Sequence, residues 1–214
     1  MEEKRVLITY NGVNFTISDG KLIEMKHSGK AVDVFIPHKL PTGHSIIALG
    51  EKFCESSYGS YDKIVVDNDI SIVEEGAFMH SAVKEVVWPA SCCCIPRNCF
   101  NRSDVQKLSN IEHVVSIGER AFMWSDLSFM SWPKNCTVVP EACFCKSSLE
   151  EIVGLGVVEH IDKLAFARVK LSKPIDLSGC TVLTLSESAF LKQDLQKVIL
   201  PYYYDDSNLR CNTP

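Results

Sequence analysis

The chain has 214 residues, 46% of them hydrophobic and 23% charged, enough apolar material for one sizeable core or one elongated array. Its 22 basic and 27 acidic residues leave a net charge of −5, and no basic run is longer than Lys4-Arg5, which argues against a nucleic-acid partner. No stretch reaches the length of a membrane span, and the opening MEEKRVLITYNGV offers only Val6, Leu7 and Ile8 as an apolar run. The expected setting on these grounds is the cytosol, where the ten cysteines would stay reduced.

From the N-terminus, residues 6–10 and 13–17 alternate in polarity on either side of Asn11-Gly12, a hairpin signature, and Asp19-Gly20 marks a second turn before Leu22 and Met25. Residues 1–46 therefore read as a hairpin or meander cap that leads through Val34, Ile36 and Pro37 into an irregular first coil. Such covers are needed wherever a repeat array would otherwise expose its core.

Residues 47–201 are periodic. The pairs Ala77-Phe78, Cys99-Phe100, Ala121-Phe122, Cys143-Phe144, Ala165-Phe166 and Ala189-Phe190 are spaced by 22 residues four times and then by 24. Five residues before each Phe lie Val73, Ile95, Ile117, Val139, Ile161 and Leu185; eight before lie Ile70, Cys92, Val114, Cys136, Val158 and Val182. Both columns are of buried types, and a serine column (Ser81, Ser103, Ser125, Ser147) follows three residues after the Phe. A period of 22 is too short for two packed helices and falls in the range of leucine-rich repeats. Pairs such as Ile64/Val66, Val86/Trp88, Leu108/Asn110, Met130/Trp132, Ile152/Gly154 and Ile175/Leu177 read as the inward face of one strand per coil, stacking into a parallel sheet. The segment leading to each Phe is a short-helix candidate, with Pro96 and Pro140 suited to a first helical position.

A second layer alternates odd and even coils. WPASCCCIPRNCF at 88–100 returns as WPKNCTVVPEACF at 132–144, and NIEHVVSIGERAF at 110–122 returns as GLGVVEHIDKLAF at 154–166, a unit of 44 residues. Cys92 and Cys136 take the place of Val114 and Val158, while Cys99 and Cys143 take the place of Ala121 and Ala165. Thiols that exchange with Val and Ala behave as small core hydrophobes. Cys54, Cys93, Cys94, Cys145, Cys180 and Cys211 fall outside this pattern, and none has zinc-site spacing, so no metal or cofactor is expected. Templates for metalloprotease, P-loop, nucleophile-elbow and dinucleotide sites are absent from the sequence, and no enzymatic activity is expected.

The columns V-x-x-I-x-x-x-A-F-x-x-S-x-L, with Pro after the strand, resemble the BspA-like leucine-rich repeats of the surface-antigen type over about residues 47–201. That resemblance implies a right-handed leucine-rich-repeat solenoid with a parallel β-sheet on one face and turns and short helices on the other. It also implies protein binding or adhesion, including to host or matrix proteins, and a place at the cell surface. The outward positions of the strands form two rows: Glu85, Lys107, Phe129, Glu151, Pro174 and Lys197, beside Val87, Ser109, Ser131, Val153, Asp176 and Ile199. Glu85, Val87, Lys107, Phe129, Glu151 and Val153 are the candidate protein-binding residues, with Lys146 expected on the opposite side. Two alternatives stay open at this point: a passive structural or antigenic surface without a fixed ligand, and a cysteine-based redox or metal protein. Residues 202–214 form a tail whose Tyr202, Tyr203 and Tyr204 are placed to cover the last coil.

Overall fold

An apolar ring at one fixed place in every repeat is buried only if the repeats stack in register, and that requirement organises the molecule. The structure, a computed structural model, describes residues 5–204; the expectations for Cys211 and the tail from 205 on fall outside them. Phe53, Phe78, Phe100, Phe122, Phe144 and Phe166 have no solvent exposure, and Phe190 has 3%. From Phe78 to Phe190 the rings stack with centroids 5.0–5.5 Å apart and planes within 18°. Phe53 meets Phe78 edge-on.

The N-terminal segment is an antiparallel meander of β1 (Arg5–Tyr10), β2 (Val13–Ser18) and β3 (Lys21–Lys26). Asn11 and Gly12, both at positive φ, make the tight turn between β1 and β2. Beyond it most coils contribute two parallel strands rather than the one expected. The even ladder comprises β4 (Val32–Ile36), β6 (Ser60–Val66), β8 (Ala82–Val87), β10 (Lys107–Ser109), β12 (Phe129–Ser131), β14 (Glu151–Val153), β16 (Ile175–Asp176) and β18 (Val198–Ile199). The odd ladder comprises β5 (Ala48–Leu49), β7 (Ile72–Val73), β9 (Cys94–Ile95), β11 (Ser116–Ile117), β13 (Val138–Val139), β15 (His160–Ile161) and β17 (Thr184–Leu185). The meander joins the odd ladder through β3, which pairs parallel with β5. The even ladder is hydrogen-bonded in three blocks, β4 to β10, β12 with β14, and β16 with β18.

Among the described residues no α-helix forms, and no helix of any kind immediately precedes the Phe; the helical segments are single 3-10 turns at Ser56–Tyr58, Leu155–Val157 and Leu195–Lys197. Residues two before Phe78 to Phe166 (Gly76, Asn98, Arg120, Ala142, Leu164) and two after Phe78 to Phe190 (His80, Arg102, Trp124, Lys146, Arg168, Lys192) all have positive φ, which breaks an α-helix. Their turns free the amides to bond the next coil: Phe100 N–H donates to the Ala121 carbonyl at 2.7 Å, Phe122 to Cys143 at 2.9 Å and Phe144 to Ala165 at 2.8 Å. Pro96 and Pro140 open these turns, accepting from the Cys99 and Cys143 amides.

The 44-residue alternation is one of volume. In odd coils Trp88 and Trp132 turn inward and donate from Nε1 to the Cys92 and Cys136 carbonyls at 2.9 and 2.8 Å. In even coils the matching residues are Asn110 and Gly154, both left-handed, so the chain turns out and Ile111 or Leu155 fills the core instead. A Cβ at Gly154 would lie 3.2 Å from the Trp132 backbone carbonyl oxygen, and at the matching left-handed position Asn110 instead donates from Nδ2 to the Trp88 carbonyl at 2.6 Å.

Cys92, Cys99, Cys136 and Cys143 are buried, each at most 2% exposed. Cys180 joins them. Its amide bonds the Leu177 carbonyl, just as Cys136 bonds Pro133 and Val158 bonds Leu155, so it occupies the column eight before Phe while Val182, 60% exposed, does not. The two residues that lengthen the last repeat lie between Cys180 and Thr184, and counting back from Phe190 crosses them. Cys54 and Cys145 are buried as well. Of the tail, Tyr203 donates to the Cys180 carbonyl at 2.8 Å and Tyr204 packs on the core, whereas Tyr202 is fully exposed.

Replacing Phe122 by Ala should cost about 3–5 kcal/mol, the usual loss for a buried Phe. Denaturant unfolding measures it, and an unchanged midpoint would contradict the ladder. The thiols give a pH test. Burial raises Cys92 and Cys136 from 9.0 to about 11 and lifts Cys99 and Cys143 well above their ordinary value. The folded chain therefore holds protons that the unfolded chain releases from about pH 8.5, and stability falls as pH rises through that window. The melting temperature of the wild type should drop from pH 8.5 to pH 11 more steeply than that of a variant with Cys92, Cys136 and Cys180 replaced by Val. Equal slopes would show that these thiols are not held protonated by the fold.

Candidate functional site: the outward face of the even ladder

Side chains alternate across a strand, so the residues between inward positions of the even ladder share one solvent face. Glu85 and Lys107 pair across β8 and β10, with Val87 opposite Ser109. Phe129 pairs with Glu151, and Ser131 with Val153, across β12 and β14. Phe129 is 49% exposed and Val153 42%; Lys107 is exposed, and Glu85, Val87 and Glu151 are half-buried.

The six candidates fall into two groups rather than one. Glu85, Val87 and Lys107 lie on the four-stranded block, and Phe129, Glu151 and Val153 on the next, with no ladder joining β10 to β12. A groove of about 290 Å³ opens along this seam, lined by Leu108, Ser109, Phe129, Ser131, Trp132 and Lys134 among others. Glu85 is already engaged, with Lys63 Nζ at 2.9 Å and Lys107 Nζ at 3.2 Å. The hydrogen bond from Lys63 is the main cause holding its carboxyl below the usual range.

The exposed rows start two strands earlier than the sequence periodicity placed them, within the same block. Phe35 on β4 is 46% exposed and aligns through Val65 with Val87, so an apolar stripe runs across β4, β6 and β8 beside the charges of Lys63, Glu85 and Lys107. The period-2 pattern of VDVFI, set beside KIVV and EVV, carries that signal. Pro174 and Asp176 are exposed near β16, and Lys197 instead donates to the Leu171 carbonyl. Among the described residues no cluster of three His, Cys, Asp or Glu is placed to hold a metal, and no helix is long and apolar enough to cross a membrane. His27, His38 and His113 each bond a backbone carbonyl.

The stacked coils have counterparts among solved structures. A leucine-rich repeat protein from Bacteroides ovatus superposes with a TM-score of 0.58 at 17% identity, covering 94% of this chain and 57% of that one. A leucine rich cell surface protein from Faecalibacterium prausnitzii gives a TM-score of 0.52 at 15% identity, covering 90% and 53%. At such identities the likeness is one of fold, and the chain spans just over half the length of these proteins. Among curated proteins no sequence matches. The BspA type leucine rich repeat region matches in six copies, over residues 49–173 and 95–203. The chain therefore belongs to the BspA-type leucine-rich repeat family.

Proposed function

We propose that the chain is a non-catalytic, protein-binding module that acts at a cell surface and engages a protein partner, such as a host or matrix protein, through the outward face of the even ladder. The observation that carries this reading is Phe129, a half-exposed aromatic ring beside a groove at the seam between two parallel blocks of the even ladder. Binding energy concentrates in such aromatic anchors near the centre of an interface, with charges at the rim. Phe35, Val65 and Val87 extend the apolar surface, and Lys63, Glu85, Lys107 and Glu151 supply the rim. Membership of a family of surface-antigen type supports the setting. A second reading, a passive structural or antigenic surface, is favoured by the intramolecular neutralisation of Glu85 by two lysines.

Phe129→Asp tests the first reading. Captured from cell or matrix extract and then purified, the partner should bind this variant about 30-fold more weakly, the size of a hot-spot loss. The melting temperature should stay nearly constant, since an exposed side chain contributes little to the core. Lys146→Glu, on the turn side, should change neither. If Lys146→Glu abolishes binding and Phe129→Asp does not, the sheet face is the wrong surface. If neither form captures a partner, the passive reading gains.

A further inference from the structure

Two columns of residues run along the turn side of the solenoid, and they treat charge differently. Three residues before each Phe from Phe78 on, acids and bases are mixed and neutralise: Arg97 faces Glu75 and Glu119 at 3.6 and 3.7 Å, and Glu141 meets Lys163 at 3.3 Å and Arg120, one residue further along its own coil, at 3.5 Å. Two residues after each Phe from Phe78 on, the column runs His80, Arg102, Trp124, Lys146, Arg168 and Lys192, without an acid. Among the described residues, none of Arg102, Lys146, Arg168, Lys192 or the neighbouring Lys170 is ion-paired. In a chain of net charge −5 this is a local concentration of unneutralised cations.

These cations also surround a shaped surface. A groove of about 540 Å³ is lined by Trp124, Lys146, Arg168 and Lys170 on successive coils, with Glu150 its one carboxylate. Trp124, 44% exposed, has Lys146 Nζ 4.2 Å from its ring centroid and the Arg102 guanidinium at 5.9 Å. The indole thus holds two like charges in place by cation–π attraction. Asp104 and Asp126 border a separate hollow on the N-terminal side of Trp124, which leaves the cationic run on the later coils.

We propose that this ridge binds a linear anionic polysaccharide bearing sulfate or carboxylate groups, laid along the solenoid axis with its charges meeting Lys146, Arg168, Lys170 and Lys192. The coils are spaced by about 4.8 Å, so the ridge presents a charge at every step of an extended chain. Guanidinium and ammonium groups suit such anions through charge-assisted hydrogen bonds. Single-stranded nucleic acid fits less well, because it needs an open aromatic face for stacking, and cations flank Trp124. An acidic peptide fits less well too: the Lys146 and Arg168 amides are spent on the Ala167 and Leu191 carbonyls, leaving no main-chain donors at these positions for a strand to pair with.

Immobilised heparin, as a defined sulfated polysaccharide, tests this at about 0.15 M salt. The wild type should bind, and a variant with Lys146, Arg168 and Lys192 changed to Gln should bind at least tenfold more weakly at an unchanged melting temperature. A variant with Lys30, Lys39 and Lys84 changed to Gln loses the same charge elsewhere and should stay within about twofold. Polyglutamate and oligo-dT of equal chain charge should bind at least tenfold more weakly than heparin. No binding of the wild type, or equal losses in the two triple variants, would overturn the proposal. Equal or tighter binding of oligo-dT or polyglutamate would overturn it in favour of a nucleic acid or an acidic peptide.

Discussion

The stacked phenylalanines and the amide bonds that pass from each turn to the next are the constraint on which the rest of the molecule depends. Each ring is buried only because the coil before and the coil after stand in register, and each turn amide is satisfied only by the carbonyl one coil further on. A turn that would be mobile in isolation is thereby fixed at every repeat. With no α-helix among the described residues to stiffen that side, the register of the coils rests on this ladder and on the short strands of the two ladders.

That rigidity has two consequences at the surface. Outward residues of the even ladder keep fixed spacing, so Phe129 and the Phe35–Val65–Val87 stripe are held without a large ordering cost on binding. The residues two after each Phe are held in left-handed turns, so a column of side chains projects along one edge. The chain fills the first surface with mixed charge and apolar residues and the second with cations around one indole. The two surfaces lie on different sides of the same coils.

What was legible in the sequence was whatever repeats with a single period and is buried. The Phe column, the Val or Ile column five before it and the exchange of Cys with Val and Ala follow from counting, and the structure buries them as expected. The odd ladder escaped notice because strands of two residues are too short to show alternation. The helix expected before each Phe failed because left-handed turns here fall on Arg120, Ala142, Leu164 and Lys146, residues that carry no such signal. Cys180 was misplaced by the two residues inserted after it. The seam between β10 and β12 depends on backbone pairing that no side chain announces, and the cationic column occupies exposed turn positions that apolar periodicity does not mark. The reason for the alternation, a tryptophan in one coil against a glycine or asparagine in the next, needed the three-dimensional stack.

Native-state hydrogen exchange of the turn amides tests the ladder most directly. If Phe100, Phe122 and Phe144 donate to the following coil, their amides should exchange only through global opening, with one shared free energy that matches denaturant unfolding. Exchange at the rate of open turns, or protection confined to the strands of the two sheets, would contradict the account.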